Sequence, residues 1–165
     1  ITRLEASGAS VRQEGTEIWV DFERKIADRD LRPITGMTNL TALRILAGEV
    51  TDRGLKSLSN LPRLNLLVIK SDKVTDRGME SIAKLSALEK LDLMGVRLTK
   101  AGIVRIEHLP NLSRLYLHGA RISDANLLEL ARLRRLTDLT IPEVASDKTL
   151  AKLTSALPRT RVQRF

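Results

Sequence analysis

The residues with the most chemistry to offer are few. His108 and His118 are the two imidazoles of this 165-residue chain, Tyr116 is its one phenol, and there is no cysteine. The missing thiol excludes disulfides, thiolate metal sites and a cysteine nucleophile. A metal centre needs several ligands converging on one point, and covalent catalysis needs a nucleophile beside a base that a third group orients. Asp92 falls beside Tyr116 and His118 in the register of the repeat that organises the chain. That is near enough for a polar pair, but no nucleophile or third member accompanies them. His108 falls at the end of a helical stretch, away from any partner ligand. The expectation is no catalytic residue, no metal and no cofactor, with Asp92, Tyr116 and His118 in structural or partner-contact roles.

Positive charge is what the chain has in quantity. The net charge is +8, and it is uneven: residues 1–36 hold 6 Lys and Arg against 7 Asp and Glu, whereas residues 37–165 hold 22 against 13. A basic surface favours an acidic partner, whether a protein face, nucleic acid or anionic lipid. Hydrophobic residues make up 42% but aromatics only 2%, so the core must be built from Leu, Ile and Val. No apolar run is long enough to span a bilayer. The first residue is Ile rather than Met, which reads as an excised or processed piece, and the missing cysteines with no visible leader lean toward a cytoplasmic setting.

What positions these side chains is a repeat. Leu61 to Lys84 overlays Met37 to Asn60 on one side, and Leu85 to His108 and then Leu109 to Arg132 on the other; an altered fifth copy starts at Leu133. Self-similarity at such a period, about 24 residues, marks a stacked architecture in which each unit buries its apolar face only against its neighbours. Within a copy, apolar residues three, six and eight places from the start (Leu64, Leu67 and Ile69 in the second) include a period-two pair that belongs to one face of a strand. Thr51, Thr75, Thr99 and Ser123 are placed as helix N-caps, mostly followed by Asp at the positive end of the dipole. Pairs three apart, such as Leu55 and Leu58 or Ile103 and Ile106, form the buried helix face. Residues 1–36 read as an N-terminal cap: extended runs at Val11 to Gly15 and Ile18 to Phe22, then a degenerate repeat at Ile26 to Leu31 whose helical turn Pro33 shortens. Residues 37–156 hold five repeats of about 24 residues, the last one tapered, and 157–165 a capping strand.

The string Leu-x-x-Leu-x-Leu followed by a capped helix resembles the leucine-rich-repeat family. The continuation Val/Ile-Thr/Ser-Asp-x-Gly-Leu, as in Val50-Thr51-Asp52-Arg53-Gly54-Leu55, is similar to its cysteine-containing subtype, found in F-box substrate receptors and bacterial repeat proteins, although nothing in residues 1–36 looks like an F-box. The resemblance implies an α/β fold: a right-handed solenoid, or horseshoe, with a parallel β-sheet on the concave face and helices on the convex face. It implies binding through the concave face rather than catalysis. One departure concerns the position where the family often has Asn, Cys or Thr, which here is Gly48, Asp72, Val96 or Ala120. Without those side chains, buried loop N–H and C=O groups need water or backbone partners.

Strand residues five, seven and nine places from each start point away from the core. They put Arg44, Leu46, Leu66, Val68, Lys70, Lys90, Asp92, Met94, Arg114, Tyr116 and His118 on the open face, in rows that begin at Ala42, Arg44 and Leu46 and end at Asp138, Thr140 and Pro142; apolar Leu46, Leu66, Val68, Met94 and Tyr116 run across the middle with cations at the rim. Such a cluster reads as an interface. A second row, twelve places from each start, runs Glu49, Lys73, Arg97 and Arg121; its three cations form a basic strip that an acidic partner would relieve. The expected function is non-catalytic protein recognition or scaffolding by a monomer whose partner is acidic and apolar. The alternatives are a basic platform for nucleic acid or an anionic surface, or a structural self-assembling subunit. Nucleic acid is the weaker alternative, because single-strand recognition favours exposed aromatics.

Overall fold

The computed structural model describes residues 2–6, 8–46 and 48–165. Eight strands form one sheet in sequence order: β1 (Ala9–Glu14), β2 (Glu17–Phe22), β3 (Ala42–Ile45), β4 (Leu66–Lys70), β5 (Lys90–Met94), β6 (Arg114–Tyr116), β7 (Asp138–Ile141) and β8 (Arg161–Arg164). β1 and β2 are an antiparallel hairpin, and every later pair is parallel. Parallel neighbours need a crossover, and each is supplied by a short convex segment. A helix is wider than the spacing between strands, about 10 Å against about 4.8 Å, so the strand side is the inner, concave one.

The period-two pairs behave as their spacing requires. Leu43, Ile45, Leu67, Ile69, Leu91, Leu93, Leu115, Leu117, Leu139 and Ile141 are all fully buried and share one core with the residues three places from each start, such as Leu40, Leu64 and Leu88. Phe22 and Leu4, the latter from helix α1 (Thr2–Ala6), join that core at the N-terminal end; α1 has no counterpart in the sequence expectation. Strand ends fall earlier than expected in some repeats. Leu46, His118 and Pro142 lie just past β3, β6 and β7. After β6 the chain turns at once through Gly119, whose φ is +58°, a conformation that L side chains rarely adopt.

The convex segments are less regular than the sequence suggests. Helices α3 (Lys100–Glu107) and α5 (Asp147–Ala156) are full α-helices, but α2 (Met79–Ile82) and α4 (Asp124–Leu127) are single turns, and Gly54–Leu58 is 3₁₀. Thr99, Ser123 and Ser146 are N-caps whose side chains accept from backbone N–H groups. Thr51 and Thr75 accept in the same way, from Arg53 N at 3.2 Å and Arg77 N at 3.4 Å, but they cap turns, because the helical segments that follow start only after Arg53 and Gly78. The aspartates of these motifs work between repeats instead. Asp28 Oδ1 accepts from Thr51 N at 2.8 Å, Asp52 Oδ1 from Thr75 N at 2.8 Å and Asp76 Oδ1 from Thr99 N at 2.8 Å, while the other oxygen of each takes the threonine hydroxyl. The motif is thus a rung between stacked units.

Around the loop position without Asn, Cys or Thr, backbone groups and one serine hydroxyl make the bonds. Glu49 N donates to Ile26 O, Arg97 N to Val74 O and Arg121 N to Val96 O, and Ser71 Oγ donates to Val50 O at 2.7 Å. Two convex carboxylates add a pH dependence. A hydrogen bond from Lys100 holds Glu129 below its ordinary value, and one from Ser146 does the same for Asp124. A depressed carboxyl stabilises the fold above its unfolded pKa and loses that contribution as pH falls through the folded value. The melting temperature is therefore expected to fall between about pH 5 and pH 3, with a shallower slope in Glu129→Gln; an identical slope would show that this contact carries no linkage.

Candidate functional site

The register places the expected open-face residues in three rows across the sheet. The first runs Leu66–Lys90–Arg114 and the second Arg44–Val68–Asp92–Tyr116, with Lys70 opposite Met94 in the third. Leu66, Met94 and Tyr116 are half-buried and Lys70 and Arg114 exposed. Val68 is buried, only 7% exposed, though it stands apart from the contiguous cluster of core side chains.

The charges on this face divide into satisfied and unsatisfied groups. Arg44 reaches Asp21 at 3.8 Å, and Asp21, itself buried, is held at 2.7 Å by Arg12. His118 Nδ1 is 3.0 Å from Asp92 Oδ1, and its ring stacks on Tyr116 with centroids 5.8 Å apart. Lys90 stands over Tyr116 at 5.1 Å, a cation–π contact. Among the described residues, Lys70, Lys90 and Arg114 have no carboxylate within ion-pair distance. The face therefore keeps three cations outside any ion pair around Leu66, Val68 and Met94, with Asp138 next to Arg114 in the register.

The second basic row is not one strip. Glu49 takes the Lys73 ammonium and also pairs with Lys25 at 3.0 Å, so Lys73 is not a free cation. Arg97 and Arg121 meet at a parallel bridge on the loop edge, both exposed, and remain without a carboxylate partner among the described residues. His108 caps α3, with Nδ1 2.8 Å from Val104 O, far from the inner wall. Among the described residues no three His, Asp or Glu converge as a metal site would need, and no helix is long and apolar enough to cross a membrane.

Solved structures with the same arrangement decide what this architecture is. An internalin (inlF) of Listeria monocytogenes superposes with a TM-score of 0.63 at 22% identity, over 79% of this chain and 36% of its own. Internalin C2 of the same organism gives 0.58 at 20% identity, over 80% and 54%. The fold is a leucine-rich-repeat solenoid. The chain spans about a third to a half of those two structures' length. Neither a family model nor a curated relative matches it.

Seen as a solenoid, the inner wall keeps the expected Asp138 and Thr140 on β7 and extends past the repeats to β2 and β8. Trp19 pairs in register with Ala42 and so heads the first row, with Arg12 above its ring at 5.9 Å. Asp138 and Arg161 continue that row on β7 and β8, and Thr140 and Gln163 the second. The signal for Trp19 was present: it shares the alternation phase of Asp21 in β2 and stands close to one repeat length before Ala42.

Proposed function

We propose that this solenoid is a non-catalytic recognition module, monomeric by itself, that grips a protein partner on its concave wall. The Val/Ile-Thr/Ser-Asp-x-Gly-Leu string supports placing it in the cysteine-containing subtype. The observation that carries the reading is the juxtaposition of Leu66, Val68 and Met94 with Lys70, Lys90 and Arg114, which make no ion pair among the described residues. An apolar centre with charges around it matches the anatomy of an interface, and the sign of those charges asks for carboxylates on the partner. Trp19, Tyr116 and the arginines add the side-chain types in which binding energy concentrates.

The test is capture of partners on the immobilised protein with identification by mass spectrometry, run beside a Leu66→Ser/Met94→Ser variant. Both side chains are half-exposed, so the variant is expected to melt within a few degrees of the parent. Loss of the captured protein, by about tenfold or more, is the expected outcome; full retention with an intact fold removes the wall from the reading. Binding of an oligonucleotide in a low-salt mobility shift would favour the basic-platform alternative, and a dimer in light scattering the self-assembling one.

A further inference from the structure

The inner wall does not end at β6. Beyond His118 the loops of the last two repeats enclose an open groove of about 680 Å³. Buried Ile122 and Pro142 contribute to its lining, and Val144 and Phe165 border it. Val144 is 88% exposed and Phe165 73%, and among the described residues they are the two large apolar side chains most open to water. Both border the same groove. Phe165 is fixed there by an edge-on contact with His118, centroids 4.8 Å apart, so the groove is continuous through His118 with the Asp92–Tyr116 part of the wall. Arg121 lines the groove, with Arg97 beside it across the bridge. Both guanidinium groups lack a carboxylate partner among the described residues, and Glu143 is the one acidic residue lining the groove.

We propose that this groove is a separate anchor site for a linear protein segment carrying one or two large apolar side chains flanked by carboxylates. The apolar side chain enters between Val144 and Phe165 over Ile122 and Pro142, and the flanking carboxylates meet Arg121 and Arg97. Charge selects the occupant. A second copy of this chain would set arginines against a surface of net charge +8, whereas an acidic segment removes a repulsion already present between the two stacked arginines. A nucleobase would need hydrogen-bond partners for its edges, which a floor of Ile122 and Pro142 does not supply. The proposal rests on the reading of the chain as a protein-binding module and adds the partner's chemistry at a second place on it.

The probe is a fluorescein-labelled capped peptide, Glu-Asp-Leu-Phe-Glu-Asp, titrated by anisotropy and followed by amide chemical shifts. Shifts are expected to concentrate at Gly119, Arg121, Val144 and Phe165. Val144→Asp, Phe165→Ser and Arg121→Glu are each expected to weaken binding about tenfold, the loss typical of removing an anchor or a close charge pair. Leu66→Ser/Met94→Ser is expected to leave it within about twofold, since those residues lie outside the groove. The exposure of the substituted side chains keeps folding out of the result, which unchanged melting curves verify. No binding at millimolar peptide overturns the anchor site and leaves the central wall untouched. Shifts confined to Leu66, Val68 and Met94 also overturn it while supporting the wall. Equal binding of a Lys-Leu-Phe-Lys peptide, or preferred binding of oligo-dT in the groove, or a dimer that buries Val144, overturns the assigned occupant.

Discussion

Gly78→Ala lowers the stability of the fold by about 3 kcal/mol in a urea titration, although it adds a single methyl group. A Cβ at Gly78 would stand 2.7 Å from Asp52 Oδ1, 2.9 Å from Leu55 Cδ1 and 3.2 Å from Val74 Cγ1. The leucine and valine belong to the core and are fully buried. The carboxylate cannot retreat either, because it holds the Thr75 N–H at 2.8 Å and the Thr75 hydroxyl at 2.6 Å. Overpacking of this kind costs about 1–3 kcal/mol, and displacing the carboxylate adds the loss of its hydrogen bonds, about 1 kcal/mol each. The decisive measurement is the double variant. Asp52→Ala alone costs about 1–2 kcal/mol by leaving Thr75 without its acceptor, but it also empties the space the new methyl needs. Together the two substitutions are expected to cost less than their sum by on the order of 1 kcal/mol. Strict additivity would show that the glycine answers to something other than the rung. Gly15→Ala is the contrast: its φ is +59° and nothing lies within 4 Å, so only the backbone term of about 1 kcal/mol applies.

The chain contains its own comparison for this argument. Where the rung is interrupted, with Lys100 standing in the aspartate position, the glycine position of the following unit holds Asn126. Lys100 turns instead to Glu129 at 2.8 Å. In the preceding units, Asp28, Asp52 and Asp76 each approach Gly54, Gly78 and Gly102. The pairing of aspartate and glycine is thus written in the sequence for three successive units, and it lapses in the last, where Asp124 keeps a longer rung to Ser146 N at 3.3 Å and Thr149 takes the glycine position. Reading Thr-Asp as the start of a helix misses it, because that reading looks along one unit and the contact runs between two. The same error of direction makes Lys73 a free cation. Glu49 heads its row one unit earlier, and parallel stacking brings the opposite charges together.

What was legible was whatever depends on period alone. Residues six and eight places from each start are buried because a strand alternates and the repeat fixes its phase, and the same alternation sends Arg44, Val68, Asp92 and Tyr116 to the open face. What was hidden depends on where strands stop and what lies beside them. The pairing of His118 with Asp92 follows from the register, but His118 leaves the sheet at a turn set by Gly119, where its ring meets Phe165 edge-on. Phe165 lies far from His118 along the chain, in the capping strand past the five repeats, and the β7–β8 register sets it opposite Pro142 in the row of His118. Trp19 falls to the cap in a reading by period, because residues 1–36 lie outside the repeat frame, yet the hairpin lays it on the working face.

Reversing Lys70, Lys90 and Arg114 to Glu slows association with the captured partner about a hundredfold at low salt, while the dissociation rate changes far less. These three are the cations of the central wall outside any ion pair among the described residues, so their field reaches outward. The salt response separates steering from contact. The parent's association rate is expected to fall as ionic strength rises and that of the triple variant to rise slightly, with the two converging as the Debye length shrinks from about 30 Å at 0.01 M toward about 3 Å at 1 M. Arg44→Glu is the internal control. Its guanidinium already faces the buried Asp21, so reversal sets two carboxylates against each other and reads out as lost stability more than as a slower encounter. If the triple variant associates at the parental rate in low salt, the cations are ordinary solvated surface and the partner is held by the apolar centre alone.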